Sequence, residues 1–170
     1  MDILLTLGFT AGLAFLIHRR RLTGADPAAA TLRAAAKRLG YGMQPDADPV
    51  AAIHTPALCI CAMASAFARM DAGGLRADDL LVASLQKRLA VGAPEAADLV
   101  LLGDWIVAQR GGATPAFQHL TTRLKHIGHG PDFDRLMRVL GDVSAAGTRG
   151  MPSAPQADAL GALARVFRTA

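Results

Sequence analysis

The sequence predicts an all-α protein, a compact bundle of about seven helices behind one N-terminal membrane-anchor helix. Three observations predict it. Prolines recur at positions that suit helix starts and glycines at positions that suit stops, as in Asp48-Pro49, Thr55-Pro56 and Gly111-Gly112. Between them the apolar residues repeat at three and four, and no segment alternates with period two. The chain also opens on an uncharged apolar run that three consecutive arginines close.

That run comes first. Residues 3–17 (ILLTLGFTAGLAFLI) carry no charge and are followed by His18, Arg19, Arg20 and Arg21. A secretory signal would put its basic residues before the apolar stretch and a small-residue cleavage site after it, the reverse of this order. Fifteen helical residues rise about 22 Å, and the flanking residues with snorkelling arginines extend that toward the ~30 Å hydrocarbon core. Residues 2–18 are therefore expected to span a bacterial inner membrane once, in contact with its lipid. Arg19, Arg20 and Arg21 would hold the C-terminal body in the cytoplasm and leave the N-terminus outside. Gly8 and Gly12 form a GxxxG that would let two such helices pack closely, a route to a homo-oligomer. Hydrophobic residues make up 52% of the chain even before its 17 glycines are counted, which already excludes a disordered protein.

The body follows in order. Asp26-Pro27 starts a helix over 27–39, and GYGMQPDAD at 40–48 is a turn-rich joint. Asp48-Pro49 starts a short helix over 49–54, and Thr55-Pro56 starts one over 56–70 (PALCICAMASAFARM), apolar nearly all round and so the expected centre of the core. Leu58, Ile60, Met63 and Phe67 should be buried there. Helices over 77–90, 94–110, 115–127, 132–146 and 154–168 surround it. Leu80, Leu81, Leu85 and Leu89, and Leu136, Val139, Leu140 and Val143, have the spacing of one-sided helices. Trp105 continues the ridge of Leu99, Leu102 and Ile106 and reads as a core anchor. The domain organisation is thus 1–21 anchor, 22–50 linker and peripheral helix, and 51–170 helical domain.

Net charge is +4, from 18 basic and 14 acidic residues, and without residues 1–21 the balance is 15 to 13. Aromatics are 5%, and lysines and arginines are scattered over the body, so neither a basic face nor stacking side chains for nucleic acid are present. Cys59 and Cys61 would diverge by about 200° on a helix, which excludes a disulfide between them, and they read as small buried hydrophobes.

Two stretches share a layout of apolar helix, small-residue turn and second helix: AFARMDAGGLRADDLLVASL from Ala66 and VSAAGTRGMPSAPQADALGAL from Val143. In this layout the chain resembles the TerB-like helical domain of the tellurite-resistance family. With its N-terminal apolar segment it is similar to the membrane-anchored part of DjlA-type DnaJ proteins. The resemblance covers residues 51–170 and implies an all-helical interaction or metal-associated domain. It places Asp71 and Gly147 at equivalent turn positions, and puts Gln156 where the family has a Glu. No His-Pro-Asp tripeptide is present, so the chaperone-stimulating role of a J-domain does not carry over.

Asp71, Asp78 and Asp79 form the candidate metal site, a turn carboxylate and two carboxylates at the next helix start that could offer oxygen ligands to a divalent cation. The simpler reading makes Asp78 and Asp79 charges that favour the helix dipole and Asp71 a turn residue, so that no cofactor is expected. His119, His126 and His129 gather near Arg123 and Lys125. Two helical turns, about 10 Å, separate the first two, too far for a common zinc. His54 reads as a turn residue. Glu95 and Asp98 read as an acidic first turn. No nucleophile elbow, phosphate loop, dinucleotide fingerprint, H-E-x-x-H or C-x-x-C is present. The sequence therefore points to a non-enzymatic, membrane-tethered adaptor that binds a protein partner at the cytoplasmic face. The alternatives are a structural accessory or assembly subunit of a larger membrane complex and, from a different class, a metal-dependent hydrolase.

Overall fold

A computed structural model describes residues 27–71, 78–147 and 150–168. Among them are seven α-helices and no strand: α1 (Pro27–Arg38), α2 (Pro56–Arg69), α3 (Asp78–Leu89), α4 (Ala93–Gln109), α5 (Ala113–Ile127), α6 (Gly130–Ala146) and α7 (Ala154–Arg168). Contacts divide the chain after Ala34, and Ala35–Ala170 forms one compact unit. The expected span at 2–18 with Gly8 and Gly12, the basic group His18 to Arg21, and Asp26 all lie outside the described residues. No described helix is long and apolar enough to cross a membrane.

The all-apolar sequence of α2 is explained by its place. It packs against α4, α5 and α6 and, more lightly, α3, so no side of its middle turns meets water. Every residue from Leu58 to Phe67 is buried, Ser65 included. Leu81 and Leu85 of α3 are buried, as are Leu99, Leu102 and Ile106 of α4, Phe117, Leu120 and Leu124 of α5, and Leu136, Val139 and Leu140 of α6. Leu80 and Leu89 stay half-buried at the edge of their stripe. Each large apolar side chain enclosed in this way contributes about 1.5–3 kcal/mol relative to its exposed state.

Several local expectations are corrected. Residues 49–52 form turns and 53–54 are irregular, with no helix. Asp48 Oδ1 accepts from the Val50 N–H at 2.8 Å, and the Ile53 carbonyl accepts from Arg123 Nε and Nη2 at 2.8 and 2.5 Å. Six residues ahead of Pro56 are too few to repay helix nucleation when those groups have partners outside the segment. Thr55 is extended ahead of Pro56, but its side chain makes no capping bond. α5 begins two residues early at Gly112, whose φ of 138° favours glycine, so Thr114-Pro115 falls inside the first turn. α6 begins at Gly130 and is capped by His129, whose N–H donates to the Asp132 carboxylate at 2.9 Å in a capping box. Trp105 is half-buried at the rim and meets Tyr41 edge-on at 6.3 Å instead of anchoring the core.

α3 ends on Ala90, the only described residue other than glycine with positive φ (56°). A left-handed conformation costs an L-residue about 1 kcal/mol, and Ala90 is exposed. Ala90→Gly is therefore expected to raise stability by about 0.5–1 kcal/mol. An unchanged or lower urea midpoint would show that the position carries no strain.

α3 and α6 are joined by a polar clamp. Asp142 accepts from Arg88 Nη2 at 2.7 Å and Nε at 2.9 Å, and from the Ser84 hydroxyl at 2.7 Å. The Arg88 hydrogen bond, against the opposing cost of burial, brings the Asp142 carboxyl down to about 2. A carboxyl depressed in the folded state stabilises above its unfolded value of about 3.9, and that contribution disappears as pH falls through the folded value. Asp142→Asn is expected to cost about 1 kcal/mol at neutral pH, a figure discounted for solvent screening. The gap from the parent should close between about pH 4 and pH 2, as read from urea midpoints across that range. A gap of constant size would remove the clamp from the account.

Candidate functional site

A concave site with an apolar base lies between α5 and α7. α7 packs chiefly on α5 and is held at three points. At its start, Gln156 is 3% exposed. Its Nε2 donates to the Phe67 carbonyl at 2.8 Å, while its Oε1 accepts from the Ser153 N–H at 2.9 Å. One side chain thus stitches the last turn of α2 to the first turn of α7. Near its end, Lys125 Nζ donates to the Val166 carbonyl at 2.8 Å, and Phe167 lies against Phe133 with ring centroids 4.7 Å apart.

Between these ties the two helices leave a cleft of about 560 Å³. Its buried lining is Met70, Phe117, Ala159 and Leu163, with Thr121. The Thr121 hydroxyl already donates to the Phe117 carbonyl at 2.8 Å, so this base is apolar in effect. Exposed Gln118 and Thr122 line the α5 side, and exposed Asp158 and Arg165 the α7 side. An apolar base with a few polar groups around it suits binding of apolar side chains or a small molecule. It holds no paired nucleophile and base.

The two turns that the repeat made equivalent come together beside this cleft. Asp71 Oδ2 lies 3.2 Å from where a Cβ on Gly147 would stand, a tight approach between the two turns. Gln156 stands in the same junction through its bond to Phe67. Asp78 and Asp79 sit exposed in the first turn of α3. No group of three His, Cys, Asp or Glu side chains is placed to hold one metal ion among the described residues.

The histidine group does not form a site. His119, His126 and His129 are exposed, Arg123 is committed to the Ile53 carbonyl, and His54 Nδ1 lies 3.4 Å from Arg123 Nη2. Cys59 and Cys61 are buried and free, as expected of small hydrophobes. Burial pushes the Cys59 thiol up to about 12 and raises Cys61 as well, so both remain protonated near neutral pH. Only Glu95 is acidic in the first turn of α4; Asp98 lies beyond it, where Arg38 holds it bidentately at 2.6 Å and keeps its carboxyl below the usual range.

Met70, Gln118 and Thr122 are the lining residues that sequence reasoning passed over. Gln118 and Thr122 lie one turn apart beside the buried Phe117–Leu120–Leu124 stripe, a faint sign of a second functional face. The fold and site define the class of the protein as an all-α bundle with a two-helix groove. Compared with protein-family models, curated proteins and solved structures, the chain matches none. The TerB-like reading therefore rests on the residue pattern alone.

Proposed function

We propose that the chain is a non-enzymatic, membrane-tethered helical adaptor of the TerB-like kind. It binds an apolar segment of a protein partner in the α5–α7 groove, at the cytoplasmic face of a bacterial membrane. The observation that carries the binding role is the groove itself, with Met70, Phe117 and Leu163 at its base and α7 tied mainly at its two ends. The tether rests on the uncharged run at 3–17 and on Arg19, Arg20 and Arg21, which favour an inward C-terminal body.

The test couples partner capture to the groove. The full chain is extracted in mild detergent after crosslinking in cells, beside Ala162→Glu, which puts a charge into the groove lining at a half-buried position. A crosslinked protein lost from the variant, with an unchanged melting midpoint, is the expected result. Equal recovery from both would exclude the groove as the docking site. Digestion of the body by a protease acting from outside intact cells would overturn the topology.

A further inference from the structure

The net positive charge of the protein is confined to one end. Residues 39–170 hold twelve basic and twelve acidic residues, whereas residues 1–38 hold six basic residues against Asp2 and Asp26. Three of those six are Arg19, Arg20 and Arg21, and the other three, Arg33, Lys37 and Arg38, are on α1. Arg38 is neutralised by its bidentate pair with Asp98. Arg33 and Lys37 are exposed one turn apart and make no ion pair among the described residues. Ala30 and Ala34 are exposed beside them on the same face, so among the described residues two cations project from a strip of small side chains.

From these observations we infer that the Arg33–Lys37 face of α1 docks on anionic phospholipid headgroups of the membrane that holds the N-terminal run. The inference rests on the tethered reading and adds to it a lipid partner and a second contact. Distance permits it. Five residues lie between Arg21 and Pro27, so the six Cα steps reach at most ~22 Å, and α1 is about 18 Å long. Charge complementarity favours it, since each basic residue near an anionic surface strengthens binding about fivefold, and two together about thirtyfold. The attraction should fade with salt, because it acts over a Debye length of about 8–10 Å. A second contact would restrict how the body swings about its tether.

The experiment uses the full chain with two vesicle types, phosphatidylcholine alone and phosphatidylcholine with roughly one lipid in three replaced by phosphatidylglycerol. Flotation with neutral vesicles reads the tether, and amide hydrogen exchange over 28–38 reads the docking, with α2 amides as the internal control. The expected result is flotation with both vesicle types and severalfold slower exchange in α1 on the anionic ones. That slowing should be lost at about 1 M salt and in an Arg33→Gln, Lys37→Gln double variant. Equal α1 exchange on the two vesicle types would overturn the docking while leaving the tether standing. Flotation with anionic vesicles alone, abolished by the double variant, would overturn the tether and support the docking.

Discussion

Replacing Phe67 by alanine is expected to cost about 3–5 kcal/mol and to lower the melting midpoint by roughly 10–20 °C. Phe67 is fully buried in the last turns of α2 and its ring lies 6.1 Å from that of Phe117 on α5. Truncation would leave a cavity where the central helix meets α5 and would remove the packing above the backbone carbonyl that Gln156 uses. A relaxed site can recover part of the loss, which is why the range is wide. Met63→Leu, nearly constant in volume, should cost less than about 1.5 kcal/mol and serves as the control. Equilibrium urea unfolding decides the matter. A Phe67→Ala loss below about 1 kcal/mol would mean that the ring is not enclosed as described.

Gly103→Leu is expected to be nearly as damaging, by the opposite route. Gly103 sits on α4 where a Cβ would stand 3.2 Å from both Cα and N of Ala62 on α2, and 3.4 Å from Cys61 Sγ. Those neighbours are mostly backbone of the most enclosed helix, so a leucine must push α2 and α4 apart. The expected loss is about 3 kcal/mol or more, at the high end for overpacking. Gly103→Ala separates the causes, because its helix-propensity gain of about 1 kcal/mol offsets the tight contact and leaves stability close to the parent's. A Gly103→Leu midpoint within experimental error of the parent, at unchanged m-value, would show slack between the two helices.

These variants also mark where sequence reasoning succeeds. The sequence places Phe67 in the core because 56–70 is apolar nearly all round, a composition that suits only an encircled helix. Gly103 stands in the middle of the run LVLLGDW, where no local rule asks for a glycine. Its reason is Ala62, and nothing near Gly103 in the chain names that partner. Trp105 stands in an apolar ridge that points to the core, yet it is half-buried and its ring meets the buried Tyr41, which no spacing within α4 names. The helix starts show a smaller failure. Proline marked the neighbourhoods of α4, α5 and α6 correctly, but the capping groups are Gly92, Gly112 and His129.

What the sequence by itself determined is what near neighbours can settle. Proline and glycine constrain their own φ, and spacing of three or four puts apolar residues on one side of a helix; hence the helical class, the order of elements, the central place of α2 and the confinement of net charge to the first 38 residues. The tertiary structure decided which faces meet. Gln156 accepts from the Ser153 N–H at the start of its own helix, yet its second bond reaches Phe67, 89 residues away. Asp71 meets Gly147 and Arg123 holds Ile53 across comparable separations, and the groove lies beside α5 because α7 is tied to α2 at its start and to α5 and α6 near its end. Such contacts depend on the shape complementarity of whole surfaces, and a one-sided helix specifies that a face must be covered without specifying by what.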